Sequence, residues 1–403
     1  MDSRKWRVLI LIALAELLAM SLWFSATAVA PELATDWGLS PAETTWLTNA
    51  VQFGFVVGAL LSSLFTLSDV IRPRYLFAGS AVFGAVCTAL IASVVNSFLP
   101  AVGLRFLTGV ALAGVYPPGM KILAGWFKQG RGLAIGVLIG ALTVGSALPH
   151  LLRGIGGVGQ PRLVLYGAAS LATVGGLLAL LVDPGPYQAP AAPFDPSALG
   201  RILRDRPTML ANGGYFGHMW ELYAVWTWIP AYLAASLAAR GSSGTATGLA
   251  SFIAFGAIAI GGLGAVIAGS AADRWGRTDI TSLSMVLSGL SCLAAGLVFG
   301  SSLVVLVPFV LLWGFVIVAD SAQFSAAVSE LAEESYVGTA LTMQTAIGFL
   351  LTTVSIQAVP LLANAVGWQW AFAPLAIGPA IGTLSMRRLR GLPAASKLAG
   401  GKK

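Results

Sequence analysis

The chain is poor in charged residues. Only 10% of its 403 residues are Asp, Glu, Lys or Arg, and 57% are hydrophobic. An ordinary soluble domain carries about 25% charged residues. A surface with so little charge cannot shield that much apolar material from water, so much of it must face lipid. The composition excludes an ordinary water-soluble globular domain and indicates an integral membrane protein.

Cysteine and histidine are also scarce. The two cysteines, Cys87 and Cys292, lie inside apolar segments, which excludes a disulfide framework and a zinc site. The two histidines, His150 and His218, leave few candidates for metal binding or triad chemistry. The sequence contains no nucleophile elbow and no phosphate-binding loop. We therefore predict that the protein is not an enzyme and holds no cofactor or metal.

The apolar runs lack the alternation of a transmembrane β-barrel, as residues 301–319 illustrate. A helix crosses a bilayer with about 20 apolar residues and satisfies its own backbone hydrogen bonds. The chain accommodates about twelve such spans. The predicted spans are 7–30, 44–66, 75–95, 98–121, 131–151, 163–182, 208–236, 245–268, 279–299, 302–325, 337–360 and 369–386.

A proline-rich segment and a set of matched spacings divide the chain into two halves. Residues 183–207 are predicted to link a six-helix half, 1–182, to a second, 208–403. Glu16, Asp69 and Cys87 recur at nearly the same offsets as Glu221, Asp273 and Cys292. Parallel six-helix repeats are one architecture of secondary transporters. The predicted fold class is an all-α membrane protein with twelve transmembrane helices in two pseudo-symmetric six-helix bundles.

Basic residues predict the orientation. With both termini in the cytoplasm, 19 of the 23 Lys and Arg residues fall on the cytoplasmic face, only Arg153, Arg162 and Arg240 fall on the other face, and Arg105 lies within a span. Positive charge concentrates on the cytoplasmic side of membrane proteins. The net charge of +7 is thus explained by membrane orientation, without a nucleic-acid partner. We expect a multi-pass protein of a bacterial-type inner membrane.

Five ionisable residues lie well inside predicted spans: Glu16 in span 1, Arg105 in span 4, His218 and Glu221 in span 7, and Asp320 in span 10. An ionisable group at the bilayer centre costs at least about 2.5 kcal/mol and normally faces a cavity or a partner. The spacing of three helices predicts that spans 1, 4, 7 and 10 line a common polar interior.

His218 and Glu221 are three residues apart and share one helix face. We predict that Glu221, together with His218, carries a coupling proton, with Glu16 and Asp320 as further candidates. The alternative is a buried pair that only joins helices. Arg105 either holds a substrate carboxylate with its planar fork or neutralises a carboxylate of the protein.

Uncharged polar and aromatic side chains complete the candidate substrate site. They are Asn49, Gln52, Trp23, Tyr223, Trp226, Gln323 and Gln344. The alternative for the amides is hydrogen bonding between helices, and for the aromatic residues it is anchoring at the membrane interface.

The loop between spans 8 and 9 reads Gly269-Ser-Ala-Ala-Asp273-Arg274-Trp-Gly276-Arg277-Thr. It resembles the loop motif of the major facilitator superfamily. A degraded copy after span 2 retains Asp69, and the segment from Arg105 to Gly114 is similar to the family's span-4 arginine motif. Residues 136–145 partly resemble the span-5 motif of antiporters, with Ala141 in place of its proline.

The resemblance implies two bundles around a central cavity that opens alternately to either side, lined by spans 1, 4, 7 and 10. It implies that Gly269, Asp273, Arg274, Gly276, Arg277 and Asp69 form a conformational latch that stabilises the outward-open state. It also disfavours nitrate or nitrite as substrate, because spans 2 and 8 lack the arginines of those carriers.

We expect a monomeric secondary transporter that moves a small organic solute, coupled to protons. Three carboxylates and one arginine give the candidate site a net charge of −2, which favours a cation or a carboxylate that travels with a proton. The alternative is a sensor or scaffold that resembles a transporter without transporting.

Overall fold

A computed structural model of the chain describes residues 3–127, 131–183, 185–187, 195–241 and 246–402, with the side chains of residues 68, 69, 131 and 132 left out. Helices dominate these segments. They are α1 (Ser3–Met20), α2 (Ser25–Ala28), α3 (Ala30–Trp37), α4 (Pro41–Leu64), α5 (Leu67–Val70), α6 (Pro73–Ser93), α7 (Phe98–Leu112), α8 (Tyr116–Trp126), α9 (Arg131–Leu152), α10 (Pro161–Ala179), α11 (Leu199–Arg204), α12 (Arg206–Ala239), α13 (Ala246–Ala259), α14 (Gly261–Trp275), α15 (Arg277–Val298), α16 (Leu303–Ala319), α17 (Ser321–Leu331), α18 (Val337–Trp370) and α19 (Ile377–Arg390).

Local sequence sets several helix ends. Proline occupies the first position of α4, α6 and α10, where its missing N–H costs nothing. Before α4, the Ser40 hydroxyl accepts from the Glu43 amide at 3.3 Å and the Glu43 carboxylate accepts from the Ser40 amide at 2.8 Å. This reciprocal capping box fixes the start of the helix.

Ten helical stretches in the described part of the chain are long and apolar enough to cross a membrane. They correspond to predicted spans 2 to 11. The first predicted span, 7–30, is not one helix, because α1 ends at Met20 and a turn separates it from α2. The last corresponds to a 3-10 turn, Ala373–Ala376, followed by the 14-residue α19. The count of twelve spans therefore stays a prediction.

Four predicted spans are interrupted within their length. Span 1 breaks at residues 21–24, span 4 between α7 and α8, span 8 at Ile260, and span 10 at Asp320. Span 7 continues through α12 despite Pro230. Substrate and ion sites in transporters are commonly built where transmembrane helices are discontinuous. Three of the four spans singled out by ionisable residues are thus interrupted.

The first of two compact units comprises Met1–Pro190 and Thr227–Ala259. Its α4 and α7 touch backbone to backbone. A Cβ added to Gly54 would lie 1.9 Å from the Phe106 carbonyl oxygen, and one added to Gly109 would lie 2.1 Å from that of Val51. Small residues permit this approach between membrane helices.

The second unit comprises Ala191–Trp226 and Ile260–Lys403. Here α12 approaches α19 closely, since a Cβ on Gly217 would lie 2.3 Å from the Gly378 carbonyl oxygen. The remaining core is aliphatic and aromatic, with Trp313, Phe324 and Phe372 almost fully buried. This packing fixes the positions of the polar groups on α12, α15, α16 and α17.

Candidate functional site

Glu16 is a completely buried carboxyl group on α1 in the first unit. Neither of its oxygens has a hydrogen-bond partner among the described residues. Oε2 of Glu16 lies beside Gly119 of α8, where an added Cβ would be 3.2 Å from that oxygen, 3.6 Å from Phe77 and 3.8 Å from Ile12. An ionised carboxylate is costly in such surroundings unless it is paired. The site therefore suits a carboxyl group that carries a proton.

Arg105 on α7 is also completely buried, and it holds the break in span 1. Its Nη1 donates to the carbonyl of Leu22 at 2.9 Å and to the Ser25 hydroxyl at 3.1 Å. Its Nη2 donates to the Trp23 carbonyl, and its Nε donates to the Leu47 carbonyl of α4 at 3.0 Å. Where a helix stops, its last carbonyls lose their partners. The guanidinium supplies donors to two carbonyls of the turn that follows α1, beside the local bonds from Ser25 to Leu22, and it forms no ion pair within the described residues.

His218 of α12 meets Asp320 and Ser321 at the break in span 10. Its Nδ1 lies 2.9 Å from Oδ1 of Asp320, an ion-pair distance whose alignment falls outside hydrogen-bond geometry. Its Nε2 shares a 2.9 Å hydrogen bond with the Ser321 hydroxyl, and Tyr215 and Phe324 flank its ring. The imidazole and the carboxylate are 3% and 2% exposed, so the pair is shielded from bulk water.

Glu221 lies one helical turn from His218 but has different partners. One oxygen, Oε1, accepts from the Ser288 hydroxyl at 2.5 Å, the Trp313 indole at 3.1 Å and the Cys292 thiol at 3.2 Å. These donors come from α15 and α16. The structure thus brings His218 together with Asp320, whereas the pairing of His218 with Glu221 expected from their spacing is not formed.

The uncharged candidates have varied surroundings. Both amide atoms of buried Gln52 lack a hydrogen-bond partner among the described residues. Gln344 bridges helices, since it donates to Asn212 at 3.0 Å and accepts from Ser325 at 3.1 Å. The remaining candidates are buried: Asn49 lies on α4, whose Phe55 packs against Trp23, and Tyr223 lies between the rings of Trp226 and Phe349.

The loop motif places Arg277 at the first position of α15. Arg277 binds Glu330 of α17 through two bonds of 2.8 and 2.6 Å, donates to Gln323 at 2.6 Å, and lies 3.4 Å from Asp273. We call Asp273, Arg277, Gln323 and Glu330 the latch cluster. It joins the ends of α14, α15 and α17.

Other residues of the motif shape the loop. Gly276 adopts φ 105° and ψ 144°, a conformation that favours glycine. A Cβ on Gly269 would lie 3.8 Å from Nε2 of Gln323, an ordinary van der Waals contact, and Arg274 is exposed. The side chain of Asp69 lies outside the described part of the structure.

Two functional candidates escaped the sequence reasoning. The first is Glu330, which the sequence shows only as an acidic residue shortly after an apolar span. The other is Glu32, whose carboxylate lies 2.8 Å from Arg153 in the first unit, while Arg153 also reaches Ser251 of α13 at 3.4 Å. Both partners are largely buried, at 14% and 7% exposure.

Known proteins resemble this chain in sequence and in fold. The chain is 26% identical over 304 residues to the MFS-type transporter hasB of Aspergillus fumigatus, a match that covers 67% of this chain and 62% of that protein. It is 31% identical over 158 residues to the gallate transporter of Pseudomonas putida, covering 39% and 33%. It therefore spans less than two thirds of the length of each of these relatives.

In three dimensions the chain is similar to the nucleoside transporter NupG, in the crystal structure of a point mutant of that protein. The TM-score is 0.70 at 14% sequence identity, and the match covers 95% of this chain and 99% of the other. At this identity the likeness concerns the fold alone. The model of the Major Facilitator Superfamily matches residues 12–263, which is more than half of the sequence. The chain therefore belongs to the major facilitator superfamily of transporters.

Proposed function

We propose that the protein is a secondary active transporter that moves a small organic solute by alternating access, coupled to protons at His218 and Asp320. One observation carries the proposal: a buried imidazole and carboxylate lie 2.9 Å apart at the break of a membrane helix. Discontinuous helices and intramembrane proton-binding side chains are general features of coupled transporters.

His218 and Asp320 are a better coupling site than Glu221. Oε1 of Glu221 already accepts three hydrogen bonds from side chains of its own unit, which favours a structural role for this residue. Nδ1 of His218 lies 2.9 Å from the Asp320 carboxylate and its Nε2 shares a hydrogen bond with the Ser321 hydroxyl, so the three groups are close enough for a small adjustment to join them. Glu221 and Tyr215 are the ionisable neighbours of this pair. Glu16 is the second candidate proton site, because its carboxyl group is buried without a partner among the described residues.

The wider arrangement follows from the sequence and the family. We propose two six-helix bundles, 1–182 and 208–403, joined by the linker 183–207 around a central cavity. The charge distribution supports cytoplasmic termini in an inner membrane, and a monomer suffices for transport in this proposal. Gln52 is the uncharged side chain best placed to contact the solute, since both of its amide atoms are buried without partners among the described residues.

The solute is proposed to be a cation or a carboxylic acid that enters with a proton. The excess of carboxylates among the buried ionisable residues supports both classes. The relationship to a gallate transporter makes hydroxylated aromatic acids the first class to test. Gallate itself is a suitable probe.

The test begins with thermal stability of the purified protein in the presence of gallate and of a panel of aromatic acids and amines. Compounds that stabilise the protein are then assayed for accumulation in proteoliposomes with and without a pH gradient. We expect Asp320→Asn to abolish gradient-driven accumulation and to leave exchange of bound solute intact. Asp36→Asn, which removes an exposed carboxylate, is the matched control.

Two outcomes would overturn the proposal in different ways. Wild-type accumulation by the Asp320→Asn protein would remove the coupling site while leaving transport intact. Stabilisation by a solute without any flux would favour the sensor instead.

A further inference from the structure

The segment that follows α19 folds back onto the second unit. Residues 393–402, called the tail below, follow Arg390 and form a 3-10 turn over Pro393–Gly401. Ala395 and Leu398 are completely buried. A segment that merely projected into water would keep these apolar side chains exposed, so the tail is packed against the protein.

The backbone of the tail is held in an uncommon conformation. Ala399, Gly400 and Gly401 have φ values of 47°, 64° and 99°, all in the left-handed region. Alanine adopts this region rarely, and such a conformation persists where surrounding contacts determine it. The reversal brings the amide of Ala399 and the side chain of Lys402 towards two different helices.

Those two contacts fall on the latch cluster. The Ala399 amide donates to Oε2 of Glu330 at 3.1 Å, and Oε2 also accepts from Arg277 at 2.8 Å. The Lys402 ammonium donates to the carbonyl oxygen of Asp273 at 2.9 Å. That carbonyl lies in the last turn of α14, where unpaired carbonyls and the helix dipole favour a cation.

We propose that the tail is a regulatory arm of the latch cluster. It ties the end of α14 to α17 through Lys402 and Ala399, with Leu398 as its buried anchor. Arg277, at the start of α15, also joins α14 to α17, because it contacts both Asp273 and Glu330. Any movement that separates α14 from α17 must therefore break the tail contacts as well as the Arg277 pairs, so release of the tail facilitates opening of the cluster.

The inference is independent of proton coupling and of the solute. A thiol at position 272 measures the opening of the latch cluster. Ala272 is completely buried near the end of α14 and packs with Ala268, Ile280 and Ala319. The experiment uses the purified full-length protein with Ala272→Cys in a background of Cys87→Ala and Cys292→Ser. The measured quantity is the rate of labelling by a soluble maleimide.

We expect Lys402→Ala, and removal of residues 393–403, to raise the labelling rate at least about fivefold, the lower end of usual coupling between sites. Lys402→Arg should retain the slow rate because it keeps the cation. Lys397→Ala removes an exposed cation of the same segment and should leave the rate unchanged. In an Arg277→Ala background, Lys402→Ala should raise the labelling rate by a smaller factor than it does in the otherwise unchanged protein.

Three results would overturn the proposal. The first is an unchanged labelling rate in Lys402→Ala. The second is an equal rise in Lys397→Ala, which would indicate a general effect of charge. The third is a rise in labelling rate caused by Lys402→Ala that is equally large in the Arg277→Ala background. This result would show that the tail acts independently of the latch cluster. Because the Lys402→Ala chain keeps its full length, it decides the question even if the truncated chain fails to fold.

Discussion

Replacement of Arg105 by lysine separates a structural role from a substrate-binding role. The Arg105 guanidinium makes hydrogen bonds to three carbonyl oxygens and to the Ser25 hydroxyl, from three of its nitrogens. Lysine keeps the positive charge but offers three donors from a single nitrogen. Lysine can therefore replace at most three of the four bonds. Because the acceptors are arranged around a planar guanidinium, a single nitrogen cannot reach all of their positions.

The expected loss follows from the bonds. A hydrogen bond between membrane helices contributes about 0.6 kcal/mol on average and about 1.7 kcal/mol at most. A bond to a charged group in a soluble protein contributes about 1.5–3 kcal/mol. Loss of one or two of the four bonds should therefore destabilise the ligand-free protein by about 1–3 kcal/mol. The break in span 1 should loosen at the same time, because the Trp23 carbonyl loses its guanidinium donor and the Leu22 carbonyl keeps only its local bonds from Ser25.

The measurement is the thermal or denaturant unfolding of purified Arg105→Lys protein in detergent, without any solute. Arg162→Lys is the matched control, because Arg162 is exposed and a lysine there should behave like the wild type. If Arg105 instead binds substrate, the lysine variant should keep its ligand-free stability and lose solute affinity. Wild-type stability combined with a loss of binding would refute the structural assignment.

Three further predictions concern other buried contacts. Glu221→Gln keeps an acceptor oxygen for its three donors, whereas Glu221→Ala leaves those donors unpaired at about 1–3 kcal/mol each; equal melting temperatures of the two variants would contradict this. Arg153→Gln should destabilise the protein by about 3–5 kcal/mol by leaving Glu32 without its cation, and adding Glu32→Gln should recover part of that loss in thermal unfolding; simple addition of the two losses would count against the pair. Gly276→Ala should cost about 1–3 kcal/mol because of its backbone conformation, whereas Gly269→Ala, whose Cβ meets only an ordinary 3.8 Å contact with Gln323, should be neutral in the same assay.

The sequence predicts the class of fold well, because membrane helices have a strong compositional signal. Ten of the predicted spans recur as long apolar helical stretches in the described residues. The break in span 1 was not predicted, since Ser21 and its neighbours remain compatible with a membrane helix. Its stability depends on Arg105, which is distant in sequence and reaches the break only through packing.

The partners of the candidate residues were harder to predict than their positions. Spacing along a helix identifies residues on one face, which is why His218 and Glu221 were grouped. It does not say which neighbouring helix approaches that face. The structure pairs His218 with a residue of span 10 and surrounds Glu221 with donors from α15 and α16. Likewise, the loop motif identified Arg277, but its partner Glu330 is 53 positions away.

The breaks in spans 1 and 10 have different chemistry. In the first unit, the released carbonyls are held by Arg105, whose charge does not change at physiological pH. In the second unit, the break carries His218 and Asp320, which can both gain and lose protons. The proposed coupling therefore concerns the break in span 10 and not the break in span 1.

The helix α17 lies next to the break in span 10 and also contacts the latch cluster. This helix has 11 residues, begins at Ser321 beside His218, and presents Gln323 and Glu330 to Arg277. Under the proposed coupling, a proton gained or lost at Asp320 would act beside a short helix that contacts the latch cluster through Gln323 and Glu330 and also contacts α18 through Ser325. If the coupling proposed at His218 and Asp320 operates, α17 is the helix next to it in the chain, because it begins at Ser321. A movement of α17 would then stretch or break the contacts that Arg277 makes with Gln323 and Glu330.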